Sequence, residues 1–426
     1  MNLSVLKKKS AKDLFVIFIS TFSNQIVGLV RGFFVAKYLG PSDFGLLKAA
    51  QLIVMLNKFG NLGFKSAATR EVGHFKGARQ LERADRAKSA AYSGEFLLAS
   101  LFFLIGVCSS LFFESFMLVA VILLASGQLF ISKILGIYNT EAVIEKKIFL
   151  YSNILFWPGL ISSLAIIAVV PFLKIYAVLG ISILATLISC MIYKKTIGTN
   201  VKFDVYNIDK TELIRLLRIG FPLTLASLAY GSYRYSERIL VGSLLGLEAL
   251  GFYSLAMMPM DCMLNLLLLP VKVRKVNINE LLGQNKLQDV HKMVIKETIA
   301  IFTLALISIP LLWFAVDILI SLLLSGYTEA ILASKILLLA LPFRAISGYF
   351  NTVLVSSVVN KQILLAPMQF ISVTVFVLSV LVLRYFDMAS LTSIAIADVA
   401  GYAVVHLGSI AFYKKYFMNV YLKGSN

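Results

Sequence analysis

About twelve long apolar runs divide this chain, and such runs constrain it more than any other feature of its sequence. A backbone in lipid must satisfy its own N–H and C=O groups, so each run is expected to form a helix. Soluble proteins contain about 25% charged residues, whereas this 426-residue chain is 59% hydrophobic and 15% charged. The sequence therefore predicts an all-α polytopic membrane protein. The runs are centred near Val27, Val54, Phe102, Leu123, Ile161, Leu184, Leu228, Met260, Ala305, Leu341, Val375 and Val399.

The net charge of +18 is distributed in a pattern that predicts topology. Lys and Arg concentrate at both termini and in the even-numbered loops. The odd-numbered loops contain only Lys37, Lys174, Lys335 and Arg384. Because cytoplasmic loops carry the excess of basic residues, both termini are expected in the cytoplasm. This alternation accounts for much of the positive charge, so no nucleic-acid partner is predicted.

Several basic residues lie inside the apolar runs or at their edges. A charge near the middle of a bilayer costs about 2.5–3.5 kcal/mol on insertion scales, so such residues usually face a protein or aqueous interior. The alternative is that a long side chain reaches the membrane surface, and we expect this of Lys133, close to its cytoplasmic end. The set comprises Arg31, Lys48, Lys58, Lys133, Arg234, Arg238 and Arg344.

Most of these cations belong to polar stripes with helical spacing. Residues at i, i+3, i+4 and i+7 share one face of a helix. Stripes of this kind occur in the first, second, seventh and eighth runs and predict a polar interior. Polar side chains that join neighbouring helices are the alternative interpretation. The stripes are Ser20, Asn24, Gly28 and Arg31; Lys48, Gln51, Met55 and Lys58; Ser227, Gly231, Arg234 and Arg238; and Ser254, Met257, Asp261 and Asn265.

The two halves of the chain resemble each other at a shift of 206 residues. The shift aligns Gly40 with Gly246 and Gly45 with Gly251, and it places Arg31 on Glu237. Six runs in each half predict two lobes, 1–205 and 206–426, that cross the membrane in the same direction. Transporters with parallel repeats bind their substrates near the midplane between the repeats.

Several turn and span patterns resemble those of Wzx-type polysaccharide flippases, which belong to the MATE-like MOP exporter superfamily. The turn YLGPSDFG follows the first run, NLGFKSAATRE ends the second, and RIGFPLTLASL opens the seventh. Further matches are ERILVGSLLGLEALGFYSLA and LLLSGYTEAILASKILLLALPF. The resemblance extends over nearly the whole chain and specifies the superfamily better than the substrate.

The resemblance implies two six-helix lobes around a V-shaped cavity that opens alternately to each side of the bacterial inner membrane. It implies flipping of an oligosaccharide on undecaprenyl pyrophosphate for O-antigen, lipopolysaccharide or capsule synthesis. Membrane lipids, a polysaccharide polymerase and a chain-length regulator are the other implied partners. Buried cations supply the charge and donors that pyrophosphate requires. The candidates for this cationic lining are Arg31, Lys48, Lys58, Arg234 and Arg238.

Energy input requires a different set of residues. The chain contains no GxxxxGK[ST] phosphate loop, so coupling to an ion gradient through a carboxylate in a span is the expected mechanism. A salt bridge to a basic residue is the alternative role for each carboxylate. The candidates are Asp261, Glu237, Asp398 and Glu95. No catalytic residue, cofactor or metal site is predicted, because the three His and three Cys lack ligand-like spacing.

Two other classes of function stay open at this point. A MATE-type ion-coupled exporter of small molecules would share the fold. Such an exporter carries cationic drugs, however, and an acidic cavity would suit them better than a basic one. The third class has no transport role: a scaffold for a polysaccharide polymerase, or a membrane-embedded glycosyltransferase. A transferase would need carboxylates clustered in a large loop, and the longest loops of this chain are basic.

Overall fold

The computed structural model describes the backbone of residues 3–59, 62–145, 147–197, 209–284, 286–354, 356 and 365–418. Some side chains within these ranges, including those of residues 3–21 and Lys58, lie outside the description. The described residues form α-helices with short turns and contain no strand, which confirms the all-α prediction. The helices are α1 Leu3–Phe59, α2 Phe64–Gly77, α3 Leu81–Ser110, α4 Phe116–Ile144, α5 Ile148–Ile197, α6 Lys210–Leu267, α7 Leu269–Gly283, α8 Leu287–Leu323, α9 Ala330–Leu338, α10 Leu341–Leu354, α11 Leu365–Tyr385 and α12 Leu391–Phe412.

Three of these helices are much longer than a bilayer is thick, and each of them is broken once. At 1.5 Å per residue, the 58 residues of α6 would span about 87 Å, against roughly 30 Å of hydrocarbon. The chain leaves helical geometry at Gly40 in α1, Lys174 in α5 and Gly246 in α6. In the described part of the chain, nine helical segments are long and apolar enough to cross a membrane. α1, α5 and α6 each contain two of the predicted apolar runs, which explains why nine segments accommodate about twelve runs.

The chain forms two compact units. The first unit consists of Met1–Leu39 with Leu47–Leu228, and the second consists of Gly40–Leu46 with Ala229–Asn426. In the first unit, α2, α3, α4 and α5 pack in sequence, and in the second α8 to α12 pack together. The predicted boundary between lobes, at residues 205 and 206, lies outside the described residues, so that boundary stays a prediction.

Two glycine turns, one from each predicted repeat, pack against each other in the second unit. Gly40 has φ 76° and ψ 169°, and Gly246 has φ 90° and ψ 175°, a left-handed conformation that strains other residues. A Cβ atom on Gly45 would lie 1.7 Å from the carbonyl oxygen of Leu247. A Cβ atom on Gly251 would lie 2.1 Å from the carbonyl oxygen of Pro41.

This packing is reciprocal, because the shift that aligns Gly45 with Gly251 also aligns Pro41 with Leu247. Each glycine therefore approaches the backbone of the other repeat at the equivalent position. Aromatic rings surround the turns: Tyr327 makes edge contacts with Phe44 at 6.1 Å and with Phe252 at 5.8 Å between ring centroids.

Buried ion pairs join the helices of the first unit. Lys133 of α4 and Glu95 of α3 are both inaccessible to solvent, and Lys133 Nζ lies 3.1 Å from Glu95 Oε1. The prediction that Lys133 reaches the membrane surface is therefore wrong. The side chain instead turns into the unit because a carboxylate on the neighbouring helix neutralises it. Lys65 contacts the same carboxylate oxygen at 3.1 Å.

A second buried pair joins the N-terminal part of α3 to the C-terminal part of α4. Lys88 donates to Glu141 Oε1 at 2.9 Å, and the Tyr92 hydroxyl donates to Glu141 Oε2 at 2.7 Å. Both oxygens of this buried carboxylate are therefore bonded. Beyond the span, the Lys76 ammonium donates to Glu145 and lowers the pKa of that carboxyl.

We predict that Gly45→Ala and Gly251→Ala each lower the thermal unfolding midpoint of the purified protein, because the added methyl group would overlap backbone atoms that cannot move aside. The matched control is Gly180→Ala in α5, where a Cβ atom meets nothing within 4 Å. Alanine favours a helix over glycine by about 1 kcal/mol, so the control should be neutral or stabilising. An unchanged midpoint for Gly45→Ala would show that these turns do not pack as described.

Glu141→Gln is expected to destabilise the protein, because it leaves the Lys88 ammonium buried without a counter-charge. Removing one partner of a buried ion pair costs about 3–5 kcal/mol. Unfolding in detergent, followed by circular dichroism, measures the loss. Glu114→Gln, an exposed carboxylate between α3 and α4, is the control and should unfold like the wild type. Equal stability of the two variants would contradict the assignment.

Candidate functional site

Arg31 has no carboxylate partner among the described residues, whereas Lys133, Arg234 and Arg344 each contact one. Its Nη1 atom donates a long hydrogen bond of 3.4 Å to Ser163 Oγ. Ser163 in turn donates to the Gly159 carbonyl at 2.7 Å. The guanidinium of Arg31, in α1, thus contacts a neutral hydroxyl of α5. A buried guanidinium with only neutral partners is costly, and a bound anion would offset that cost.

Arg31 lines a cavity of about 320 Å³ within the first unit. The wall combines helix α1 with α4 and α5. Three amides line it: Gln51, Gln128 and Asn139. Four hydroxyls line it as well: Ser162, Ser182, Thr186 and Ser189. Within the part of the chain that the structure describes, Arg31 is the cavity's only charged residue and no carboxylate lines it.

Hydrogen bonds inside the protein determine what the amides can offer a ligand. The Tyr193 hydroxyl donates to Asn139 Oδ1 at 2.7 Å. Lys48 Nζ donates to Gln51 Oε1 at 3.3 Å. Both amide oxygens therefore already accept a hydrogen bond, and the amide NH₂ groups stay available as donors.

The hydroxyls of the cavity offer a ligand acceptors, whereas the amides offer it donors. Thr186 donates to the Ser182 carbonyl at 2.7 Å, Ser189 to the Ala185 carbonyl at 2.8 Å, and Ser162 to the Gly159 carbonyl at 3.1 Å. A hydroxyl whose hydrogen is bound to the helix backbone can still accept through its oxygen. The cavity therefore presents amide donors, hydroxyl acceptors and one cation.

The structure distributes the predicted cationic residues over both units. Arg31 and Lys48 belong to the first unit, where Lys48 contacts the cavity residue Gln51. Arg234 and Arg238 lie on α6 in the second unit. Lys58 lies on α1, but its side chain is outside the described residues. A single lining made by all five stays a prediction.

The carboxylates that we considered for coupling have different surroundings. Glu95 accepts from Lys65 and Lys133 in the first unit. Asp261 binds both guanidinium nitrogens of Arg234, at 2.6 and 2.5 Å, and lies 3.4 Å from Arg344 Nη1. These two carboxylates therefore neutralise neighbouring cations, the alternative role that the sequence left open.

Glu237 and Asp398 instead contact a set of tyrosines in the second unit. Both side chains are buried, and within the described residues Asp398 Oδ1 has no hydrogen-bond partner. Tyr402 donates to Glu237, and Tyr253 donates to Asp398 Oδ2 at 2.8 Å. Tyr233 donates to the Asp398 backbone carbonyl at 3.0 Å, and its ring centroid lies 4.6 Å from that of Tyr402, so the two carboxyl groups share one cluster of tyrosines.

Tyr402 connects this pair to a cation. The Arg344 guanidinium lies over the Tyr402 ring, 4.2 Å from its centroid, which is a favourable cation–π geometry. The His406 ring stacks on Tyr402, with ring centroids 6.1 Å apart. No cluster of three or more His, Cys, Asp or Glu in the described ranges is arranged to hold a metal ion.

Sequence reasoning overlooked several of these residues. Gln128 and Asn139 are amides inside one apolar run, eleven residues apart and therefore on the same helical face. Their spacing could have identified the cavity wall. Tyr253 and Tyr402 gave no such signal, because tyrosines are common in membrane spans and at their edges.

Solved structures that superpose on this chain include transporters. An inward-facing multidrug resistance MATE transporter of the MOP superfamily superposes with a TM-score of 0.71 at 13% identity, covering 94% of this chain and 98% of the other. The lipid II flippase MurJ, in an inward closed conformation, gives 0.71 at 17% identity, with 96% and 90% covered. A MOP superfamily transporter from Pyrococcus furiosus, described as having a binding pocket of reverse polarity, gives 0.63 at 14% identity, with 96% of each chain covered.

These likenesses show the fold: a multi-pass helical membrane protein built like the MOP transporters. No curated protein matches the chain by sequence. The model of one protein family does match, over residues 10–273, which is more than half of the chain. That family is described as polysaccharide biosynthesis protein. The chain therefore belongs to the polysaccharide biosynthesis protein family.

Proposed function

We propose that this protein translocates an oligosaccharide linked to undecaprenyl pyrophosphate from the cytoplasmic to the outer leaflet of the bacterial inner membrane. The cargo would be a repeat unit of O-antigen, for lipopolysaccharide, or of capsule. The observation that carries the proposal is Arg31: a cation within a span, on a polar cavity, with no carboxylate partner among the described residues. Family membership and the shared fold of a lipid II flippase support the same class of cargo.

The chemistry of the cargo explains why such a cation is retained. A pyrophosphate cannot enter hydrocarbon without a counter-charge, because burying an isolated anion costs far more than a protein's net stability. Guanidinium groups bind phosphate oxygens through paired donors. In this proposal Arg31, Lys48, Lys58, Arg234 and Arg238 neutralise the cargo in turn during alternating access. Arg234 is released to the cargo only if its bond to Asp261 opens.

A MATE-type exporter of small molecules is the second candidate, since its fold is the same. Exporters of cationic drugs need acidic residues in the binding cavity to compensate the drug's charge. In the described residues the cavity of the first unit is lined by Arg31 and by neutral polar groups. An anionic or polyhydroxylated cargo fits this lining better than a cation does.

Ion coupling is assigned to Glu237 and Asp398 in this proposal. Both carboxyl groups are buried in one tyrosine cluster, where two uncompensated negative charges are costly, so in this proposal a proton or a cation accompanies them. Exchange of that proton, or its replacement by a cation, would change the charge beside Tyr402 and Arg344. Asp261 and Glu95 keep their charge-pairing roles.

In this proposal both termini lie in the cytoplasm. A polysaccharide polymerase and a chain-length regulator would contact the protein from the outer face of the membrane.

Arg31→Gln should abolish surface glycan in a flippase-deficient strain, because the amide has a similar shape but no charge. Arg31→Lys should restore part of the glycan, since the charge returns without the paired donors. The control is Arg384→Gln, at the end of α11, whose side chain is 59% exposed. Glycan display is measured by antibody labelling, and membrane insertion by immunoblot. Full display with Arg31→Gln would remove the basis for the proposal.

Glu237→Gln and Asp398→Asn should make transport insensitive to an imposed ion gradient. Each change replaces an ionisable carboxyl group with a neutral amide of similar shape, so that position can no longer exchange a proton or bind a cation by charge. Uptake of fluorescent lipid-linked oligosaccharide into proteoliposomes, with and without a proton or sodium gradient, measures the dependence. Glu248→Gln, an exposed carboxylate after the break in α6, should behave as wild type. Variants that still respond fully to the gradient would place coupling elsewhere.

A further inference from the structure

We propose that the cavity of the first unit is a subsite for a single anionic sugar: a sugar ring that carries a phosphate or carboxylate group. The inference rests on the proposed function and names the part of the cargo that this cavity takes. Two sources share this chemistry. One is the glycosyl phosphate at the lipid-linked end of the cargo, and the other is an acidic sugar within the repeat unit.

The volume limits the ligand to a small group. At about 320 Å³, the cavity lies at the lower end of the range of roughly 300–1,000 Å³ that is typical of small-molecule sites. A whole oligosaccharide would not fit. Amides and hydroxyls alternate along the wall with apolar side chains such as Leu135 and Val178, and this mixed lining suits a sugar ring, with its hydroxyl groups and C–H faces, better than a lipid tail.

The donors and acceptors of the wall match the hydroxyl groups of a sugar. A sugar hydroxyl accepts through its oxygen and donates its hydrogen. The available NH₂ groups of Gln51 and Asn139 are donors, since Lys48 and Tyr193 occupy their oxygens. Thr186 and Ser189 are acceptors, since their hydrogens are bound to backbone carbonyls.

Pro158 adds another acceptor to the same wall. A proline inside a helix has no N–H, so the carbonyl four residues earlier loses its helical donor. That carbonyl belongs to Ile154, and both Ile154 and Pro158 line the cavity. The proline therefore costs the helix a hydrogen bond at a position where a ligand hydroxyl can replace it.

Arg31 distinguishes an anionic sugar from a neutral one. Its guanidinium has five donors, and one of them makes the long bond to Ser163. The remaining donors can hold a phosphate or carboxylate group while the amides and hydroxyls hold the ring. A neutral sugar would leave the Arg31 cation uncompensated, and a bare anion would leave the polar groups of the wall without hydrogen-bond partners. Buried polar groups left unpaired by the wrong ligand are what allow a site to discriminate strongly between ligands.

The proposal is tested by direct binding to the full chain in nanodiscs, measured by isothermal titration calorimetry. The probes are glucose 1-phosphate, glucuronate, glucose and inorganic phosphate. Either of the first two should bind at least tenfold more tightly than glucose and phosphate. Preference for glucose 1-phosphate indicates the lipid-linked end as the source, and preference for glucuronate indicates an acidic sugar in the repeat unit.

Two substitutions relate this binding to the cavity. Thr186→Val removes an acceptor without changing the shape of the side chain, and Gln128→Leu removes an amide. Each should weaken binding of the preferred probe by about tenfold, which is the effect of losing one hydrogen bond of about 1.4 kcal/mol. The matched control is Thr140→Val in α4. Its hydroxyl also donates to a carbonyl one turn earlier, at 2.9 Å, but it does not line the cavity.

Equal binding of glucose and glucose 1-phosphate, or equal weakening by Thr140→Val and Thr186→Val, would overturn the subsite. Absence of binding by all four probes would do the same. Glycan display by the Thr186→Val strain separates this result from the proposed function. Normal display without probe binding would refute the subsite and leave the flippase proposal intact. Display in the Arg31→Gln strain tests the flippase proposal itself: loss of display supports it, and full display contradicts it.

Discussion

A cation within a bilayer needs a counter-charge, and this requirement organises both units of the protein. Glu95 and Glu141 hold lysines in the first unit, and Asp261 holds two arginines in the second. These pairs cross from one helix to the next and thereby connect elements that apolar packing alone would leave free to slide. Arg31, in contrast to these residues, has no carboxylate partner within the described part of the chain. Its surroundings of amides and hydroxyls are those of a site that receives its counter-charge from a ligand.

Much of the architecture could be predicted from the sequence because each apolar run is a physical requirement for one crossing. The breaks at Gly40 and Gly246 were implied by the internal repeat, since glycine tolerates the left-handed backbone found there. The break at Lys174 lies in a predicted loop between two runs, but its left-handed backbone, with φ 46°, gave no signal, because lysine seldom adopts that conformation. The burial of Lys133 was not predicted for a similar reason, because the sequence does not show which helix packs against it.

The candidate sites were less predictable than the helices. Helical spacing placed Arg31, Arg234 and Asp261 on polar faces, but pairing depends on how helices meet, which spacing within one helix does not report. The cavity also depends on side chains that are polar but neutral, such as Gln128 and Asn139, and a search for charges passes over them. Glu237 and Asp398 are far apart in sequence, and only tertiary structure brings them into one cluster of tyrosines.

The central claim is that the missing counter-charge of Arg31 is supplied by the cargo. Native mass spectrometry of the protein, purified in mild detergent from cells that produce the glycan, tests this claim most directly. We expect the wild-type protein to retain a pyrophosphate-linked glycolipid and the Arg31→Gln variant to lose it, with both proteins equally folded. Retention of the same glycolipid by both proteins, or a wild-type protein that carries none, would contradict the account.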